Sequence, residues 1–325
     1  MPAGVGALDL PDLAAIRAAH SRIAALVHRT PVMTCASIDA EVGASLHFKC
    51  EHLQKIGAFK ARGACNAVYS LPDDVAGRGV VTHSSGNHGA ALAYAAGRRG
   101  IPAWVVMPDN APTVKQDNVR RLGARVRLCA PTVAAREAAC ADVQRETGAS
   151  LVHPYDDPRV IAGQGTAALE LLEQAGDLDV IVAPCGGGGL LSGTAIAVRS
   201  VSETTRVMGG EPANADDAAR SFASGRLEPL ATTATIADGL RTSLAPRTFA
   251  AIRARVTAIH TCSEEGIVRA MRMIFERMKQ VVEPSAAVPL ASLLEHPTAV
   301  RGLRVGVILS GGNVDLDRLP WFPQR

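Results

Sequence analysis

Four consecutive glycines, Gly186 to Gly189, stand between the apolar run VIVAP and the helix-forming run LLSGTAIAV. A buried strand that ends in glycines and turns at once into a helix is the βα step of a mostly parallel sheet. Glycines let backbone N–H groups come close to an anion, and the start of a helix adds partial positive charge there. The stretch therefore reads as a phosphate cradle, the alternative being a tight turn with no ligand. It lacks GK[ST], which argues against a Walker-type nucleotide site. It also lacks GxGxxG with an acidic residue placed for a ribose, which makes a nicotinamide dinucleotide a poor fit.

The same strand–helix rhythm runs through the chain. Residues 11–27 form an amphipathic pattern with Asp12 near its start; GVVTHSSGNHGAALAYAAGRRG is strand, polar turn and Ala-rich helix; AWVVMP, RVRLC, SLVHPY, DVIVAP, RVMGGEP, VTAIH and RVGVIL follow as strands separated by helical patterns. Residues 214–250 are less regular. A helix is expected over 263–280, with Met271, Ile274, Phe275 and Met278 at core spacing, and another after Pro284. The fold class is α/β. At 325 residues, the chain has room for two domains or one elaborate one.

Composition narrows the function. A net charge of +3 with 3% aromatic residues gives no basic stripe for nucleic acid. No window approaches the ~18 apolar residues of a membrane span. Seven scattered cysteines form no CxxC pair, which argues against a zinc ribbon. An odd cysteine count and the start MPAGVGALDL, without a leader pattern, lead us to expect reduced thiols and a cytoplasmic protein.

Three further stretches carry candidate chemistry. In THSSGNHGAA, residues Ser84, Ser85, Gly86, Asn87 and His88 lie between a strand and a helix, where hydroxyls, an amide and free N–H groups suit a carboxylate or a ring oxygen, or form a simple helix cap. In ILSGGNVD, Ser310 ends a buried strand, where a parallel sheet commonly faces a ligand. In EPANADD, Glu211, Asp216 and Asp217 form either a cation-binding loop with backbone carbonyls or an acidic surface loop.

GAFKARGACNAV, SSGNHG, HPYDDPRVIAGQGT, GGGGLLSG, EPANADD, TIADGL, VEPSAAVPLA and LSGGNVD occur in that order across nearly the whole chain. The set resembles the serine racemase and serine/threonine dehydratase family, including the 3-hydroxyaspartate dehydratases. These are pyridoxal phosphate (PLP) enzymes of fold type II, the tryptophan synthase β-like fold. The resemblance implies two open, twisted, mostly parallel sheets flanked by helices. It implies a large PLP-binding domain, 1–77 plus 151–325, a small domain, 78–150, and a homodimer. Nothing after LSGGN is long enough for the regulatory domain of the feedback-controlled threonine dehydratases.

The family likeness gives Lys60 its role, carrying PLP as a Schiff base, with Phe59 beside the ring. It assigns the phosphate to Gly186, Gly187, Gly188, Gly189 and Leu190, the ring hydroxyl to Asn87, and the pyridine nitrogen to Ser310. The substrate carboxylate would be received by Ser84, Ser85, Asn87 and His88. Glu211, Asp217 and the Ala215 carbonyl would hold Mg²⁺, Mn²⁺ or Ca²⁺. Lys60 would remove the Cα proton, and the expected reaction is β-elimination of 3-hydroxyaspartate, serine or threonine to a 2-oxo acid and ammonia. Arg136, and Arg241 with Thr242, are candidates for a distal carboxylate, or plain surface groups. Tyr155 in HPYDDP replaces an asparagine frequent among the racemases. The rival readings are a serine racemase working from two faces with Lys60 and Ser85, and a PLP carrier without catalysis. A small amino acid is the expected partner; nucleic acid and membrane are not.

Overall fold

The computed structural model describes residues 8–322, apart from residues 85 and 112 and the side chain of 114. Ten strands among them build two sheets: β1 (Val32–Met33), β2 (Ser45–Lys49), β3 (Val80–His83), β4 (Ala103–Pro108), β5 (Arg125–Cys129), β6 (Ser150–Leu151), β7 (Val180–Pro184), β8 (Arg206–Pro212), β9 (Ala258–Cys262) and β10 (Arg304–Ile308). The larger sheet runs β1-β2-β10-β7-β8-β9 and the smaller β5-β4-β3-β6. All pairings are parallel except β1 with β2. This is the expected α/β architecture of two mostly parallel sheets. β7 is buried at every position, which is why VIVAP shows no alternation: helices cover both of its faces.

The smaller sheet draws its strands from residues 80–151, and β6 straddles the boundary placed at 150/151. Three helices stack on one another beside the sheets. The helix Pro158–Ala175 starts on an Asp157 cap that accepts the Arg159 N–H at 2.8 Å, with proline in its first turn. The helix Lys60–Tyr69 rests against it with backbones touching: a Cβ on Gly163 would lie 2.6 Å from Gly63 Cα. The helix Gly189–Val201 packs on the same scaffold, where a Cβ on Gly193 would lie 2.4 Å from the Ile161 carbonyl. Lys60 and the glycine run are thus the first turns of two helices fixed to a third.

A buried ionic cluster sits behind Lys60. Arg62 donates from Nε and Nη2 to Glu51 at 2.7 and 2.8 Å, and from Nη1 and Nη2 to Glu170 at 2.8 Å each. Lys49 Nζ reaches Glu170 at 2.7 Å. All four side chains are buried, so the charges are paired within the cluster, as burial demands.

The region 263–280 departs from the expected continuous helix. It is α-helical over Glu264–Met273, then a π turn over Ile274–Met278, ended by Lys279 in the left-handed region at φ 60. Met271, Ile274 and Met278 are buried as expected, but Phe275 is 37% exposed. A π turn carries an extra residue and shifts the helical phase. Phe275 therefore faces outward, with its ring 5.8 Å from that of Trp321. No described helix is long and apolar enough to cross a membrane.

Candidate active site

The candidate residues gather at the carboxyl ends of the strands of both sheets, where open parallel sheets bind ligands. Beyond β10, the SGGN turn is laced to the segment before Lys60. The Phe59 N–H donates to the Ser310 carbonyl at 2.9 Å, Ala58 bridges Gly311, and the Gly312 N–H donates to the Gly57 carbonyl at 2.9 Å. Ser310 is buried and Phe59 half-buried. Lys60 opens its helix with Nζ 5.2 Å from the Phe59 ring centroid and donating to the Pro154 carbonyl at 2.7 Å. Lys60 is half-buried as a residue, while its ammonium end is enclosed. Burial pushes the ammonium down to about 8, and the Glu283 carboxylate opposes that shift.

Gly186, Gly187, Gly188, Gly189 and Leu190 follow β7 and are all buried. Gly188, at φ +84, is the residue before the helix and adopts a conformation side chains rarely take. The loop has no room for side chains on its walls. A Cβ on Gly187 would lie 2.4 Å from the Tyr155 ring, and one on Gly186 would lie 2.9 Å from Leu240 Cα and 3.2 Å from Thr242 Oγ1. Only bare backbone fits between Tyr155 and Leu240, so the N–H groups of this helix start are free of side-chain cover, and the cradle suits a phosphate.

From the smaller sheet come the residues after β3. The Ser84 N–H donates to the Val106 carbonyl at 3.1 Å, and its hydroxyl accepts from the Gly86 N–H at 3.2 Å. Asn87 begins the helix Asn87–Arg99 with its amide clamped: Nδ2 donates to Glu283 at 2.9 and 3.2 Å, and Oδ1 accepts from Asn313 Nδ2 at 2.9 Å. His88 is buried, with Nε2 against the Val152 carbonyl at 3.1 Å and Nδ1 without a partner among the described residues. Burial, followed by the Lys60 charge, holds it well below the usual histidine range. Ser85 lies outside the described residues.

The three side chains weighed for a distal carboxylate separate. Arg136 is half-buried, with Nε 3.3 Å from the Thr132 carbonyl of its own helix, and its charge reaches both His83 and Tyr155. Thr242 borders the glycine loop. Arg241 is an exposed residue whose guanidinium is turned onto the Thr235 carbonyl, with Nε at 2.9 Å.

At the end of β8, Glu211 is fully buried and accepts the N–H groups of Ala218 and Ala219 at 3.0 and 2.8 Å. Asp217 accepts the Leu244 N–H at 3.2 Å through Oδ2, while its buried Oδ1 has no partner among the described residues. Burial pushes Glu211 up to about 9, and the charges of Asp217 and Asp216 add to that rise. Burial likewise pushes Asp217 up to about 6. Ala215 is buried beside them. An orphaned carboxylate oxygen and two buried carboxyls that resist ionising call for a counter-charge, so this donor set fits a hard divalent ion. No three His, Cys, Asp or Glu side chains cluster as ligands among the described residues. The expected set contains two, completed by a carbonyl.

The motifs leave Glu283 without a role, although VEPSAAVPLA contains it. It is 5% exposed, clamps Asn87 and faces Lys60, and burial pushes it up to about 7. An acid before a proline at a helix start is ordinary at a helix N-terminus, so nothing in the string marks it.

The chain matches the family described as pyridoxal-phosphate dependent enzyme over residues 23–311. It is 51% identical over 312 residues to the beta-hydroxyaspartate dehydratase of Paracoccus denitrificans, covering 96% of this chain and 99% of that one. It is 50% identical over 313 residues to a serine racemase of Arabidopsis thaliana, covering 95% of each. Its fold superposes on the crystal structure of a T.th. threonine deaminase with a TM-score of 0.90 at 48% identity, covering 94% of this chain and 99% of that one.

Proposed function

The chain belongs to the pyridoxal-phosphate dependent enzyme family, and from that premise we propose that it is an ammonia-lyase that dehydrates a 3-hydroxy amino acid to a 2-oxo acid and ammonia. The observation that carries this reading is the placement of Lys60. One amine, pushed down to about 8 by burial, donates to the Pro154 carbonyl next to Tyr155, which walls the glycine cradle. Its charge reaches His88, and the preceding Phe59 N–H is bonded to Ser310 of the SGGN turn. When bound, PLP supplies the electron sink that lets a Cα proton depart. Lys60 anchors the cofactor and is the base that accepts that proton. The Gly186–Leu190 backbone receives the phosphate. Asn87, its amide fixed by Glu283 and Asn313, presents one orientation to the ring hydroxyl. Ser310 would meet the ring nitrogen with a hydroxyl, which would not hold a proton there as a carboxylate would. Such a setting would favour elimination of the β-hydroxyl over transamination.

The substrate carboxylate falls to Ser84, Asn87 and His88 at the helix start, together with Ser85. Arg136 is the group suited to a distal carboxylate, and with the dehydratase relative in view 3-hydroxyaspartate is the preferred substrate. Glu211, Asp217 and the Ala215 carbonyl would hold Mg²⁺ or a similar ion. We read residues 78–150 as a small domain on a larger one. The protein is further proposed to be a cytoplasmic homodimer. A substrate panel tests the activity. Incubation with 3-hydroxyaspartate stereoisomers, serine and threonine should release equimolar ammonia and 2-oxo acid, fastest from a hydroxyaspartate. Binding of PLP with no product from any of them would leave only a carrier. The serine racemase relative supports a second reading, in which the product is the opposite enantiomer and Ser85 acts from the second face.

A further inference from the structure

The loop between β6 and the helix Pro158–Ala175 carries the acceptor for the Lys60 amine, and its shape is set by a histidine. His153 Nδ1 accepts the Asp156 N–H at 2.9 Å and the Tyr155 N–H at 3.4 Å. This is the service that an aspartate or asparagine oxygen performs in an Asx turn, satisfying the N–H groups two and three residues on. Pro154, between them, has no N–H to give, so all it offers is its carbonyl, and that carbonyl takes Lys60 Nζ at 2.7 Å. The far side of the turn is pinned as well. Arg247 Nη1 donates to the Asp156 carboxylate at 2.7 Å and to its carbonyl at 3.0 Å. Asp157 caps the following helix. Tyr155, on the same turn, walls the glycine cradle.

We propose that His153 is a positioning residue for the elimination reaction: its Nδ1 shapes the 153–156 turn so that the Pro154 carbonyl holds the Lys60 ammonium whenever the amine is free of the cofactor. The inference rests on the reading of Lys60 as the base. A nitrogen that accepts two N–H groups cannot carry a proton, so the ring is neutral with its hydrogen on Nε2. The surroundings agree. Burial first, then His83 with its ring 5.4 Å away and Lys60, push His153 down to about 4 against the pull of Asp156 and Asp157. The carbonyl matters most just after the base has taken its proton, because a hydrogen bond to the charged form stabilises that form. It also keeps Nζ near the place from which it must act, and small misplacements of a reacting group are costly in rate.

The test compares His153→Asn, whose Oδ1 can accept the same two N–H groups, with His153→Leu, of similar bulk and no acceptor. In cofactor-free protein, the apparent pKa of Lys60 is read from the pH dependence of its acetylation by acetic anhydride, followed on its peptide by mass spectrometry. The asparagine variant should match the wild type and the leucine variant should titrate lower. With cofactor and substrate, the leucine variant should lose about tenfold or more in kcat at nearly unchanged KM, and the asparagine variant should stay within about threefold of wild type. Equal behaviour of the two variants in both measurements would overturn the proposal. Should the leucine variant not fold, nitrogen NMR of the wild type decides: a proton on His153 Nδ1 at neutral pH overturns the assignment, and a bare Nδ1 with Nε2–H supports it. A leucine-specific fall in the Lys60 pKa, in a protein that turns over no hydroxy amino acid, would keep the positioning role and refute the dehydratase reading instead.

Discussion

Replacing Glu170 with glutamine should destabilise the protein far more than the loss of one charge at a surface would. The carboxylate takes Arg62 in a two-pronged contact at 2.8 and 2.8 Å and Lys49 Nζ at 2.7 Å, and it is 3% exposed. Burial alone would push its carboxyl up; Arg62 and Lys49 outweigh that and leave it below its ordinary value. In Glu170→Gln, two buried cations face the single carboxylate of Glu51, and a buried positive charge goes unpaired. Breaking such a pair costs about 3–5 kcal/mol, a large share of the roughly 5–15 kcal/mol that holds a typical protein folded. Adding Lys49→Met restores neutrality, since Arg62 and Glu51 then pair alone. The rescue is partial, because Lys49 also donates to the Thr30 carbonyl and to Gln174 Oε1 at 2.8 Å each. A coupling energy of about 1–2 kcal/mol is expected between the two changes. Denaturant unfolding of the wild type, both single variants and the double variant measures it. A carboxyl lowered in the folded state stabilises above the unfolded carboxyl range and loses that contribution as pH falls through its folded value. The gap between wild type and Glu170→Gln should therefore narrow in acid. If the double variant is destabilised by the full sum of the singles, or if Glu170→Gln is neutral at pH 7, the pairing argument is wrong.

Lys60→Ala should abolish ammonia release while leaving the melting temperature within a few degrees; residual turnover at wild-type rates would remove Lys60 from the mechanism. Chelation should lower the melting temperature, and Mg²⁺, Mn²⁺ or Ca²⁺ should restore it. The sign with pH is fixed: Glu211 and Asp217, raised to about 9 and about 6 without a cation, bind more protons folded than unfolded, so cation-free protein loses stability as pH rises through those values. The chelated-to-loaded gap should widen from pH 6 to pH 9, and a flat gap would make the acidic loop a solvated face. Arg136→Ala should harm 3-hydroxyaspartate turnover at least tenfold more than serine turnover, about 1.4 kcal/mol of discrimination; equal losses would show that it reads no distal carboxylate. Ser85→Ala should remove racemisation and elimination from D-substrates while keeping L-elimination within about tenfold, and survival of both activities would remove Ser85 from the proton transfers.

What the sequence made legible is what depends on local backbone rules. VIVAP followed by four glycines can hardly be anything but a strand feeding a helix, and the structure has β7, a left-handed Gly188 and a helix from Gly189. Phe275 failed the same kind of reasoning, because apolar spacing presumes 3.6 residues per turn and the π turn breaks that count. The groups that went unseen have another cause. Glu283 and Pro154 act through partners about 90 to 200 residues away, Asn87 for Glu283 and Lys60 for the Pro154 carbonyl, while His153 accepts N–H groups only two and three residues on. Their types give no hint of it, since a proline carbonyl belongs to the backbone and a histidine accepting its neighbours' N–H groups looks from the string like any turn residue. The Lys60 amine is tuned by a group far from it in the chain, Glu283 at the start of the helix Pro284–Glu295. Burial depresses it and the Glu283 charge resists, and neither effect is written in the residues next to Lys60. A motif can therefore name the lysine, but the proton affinity that fits it for its task is a property of the assembled fold.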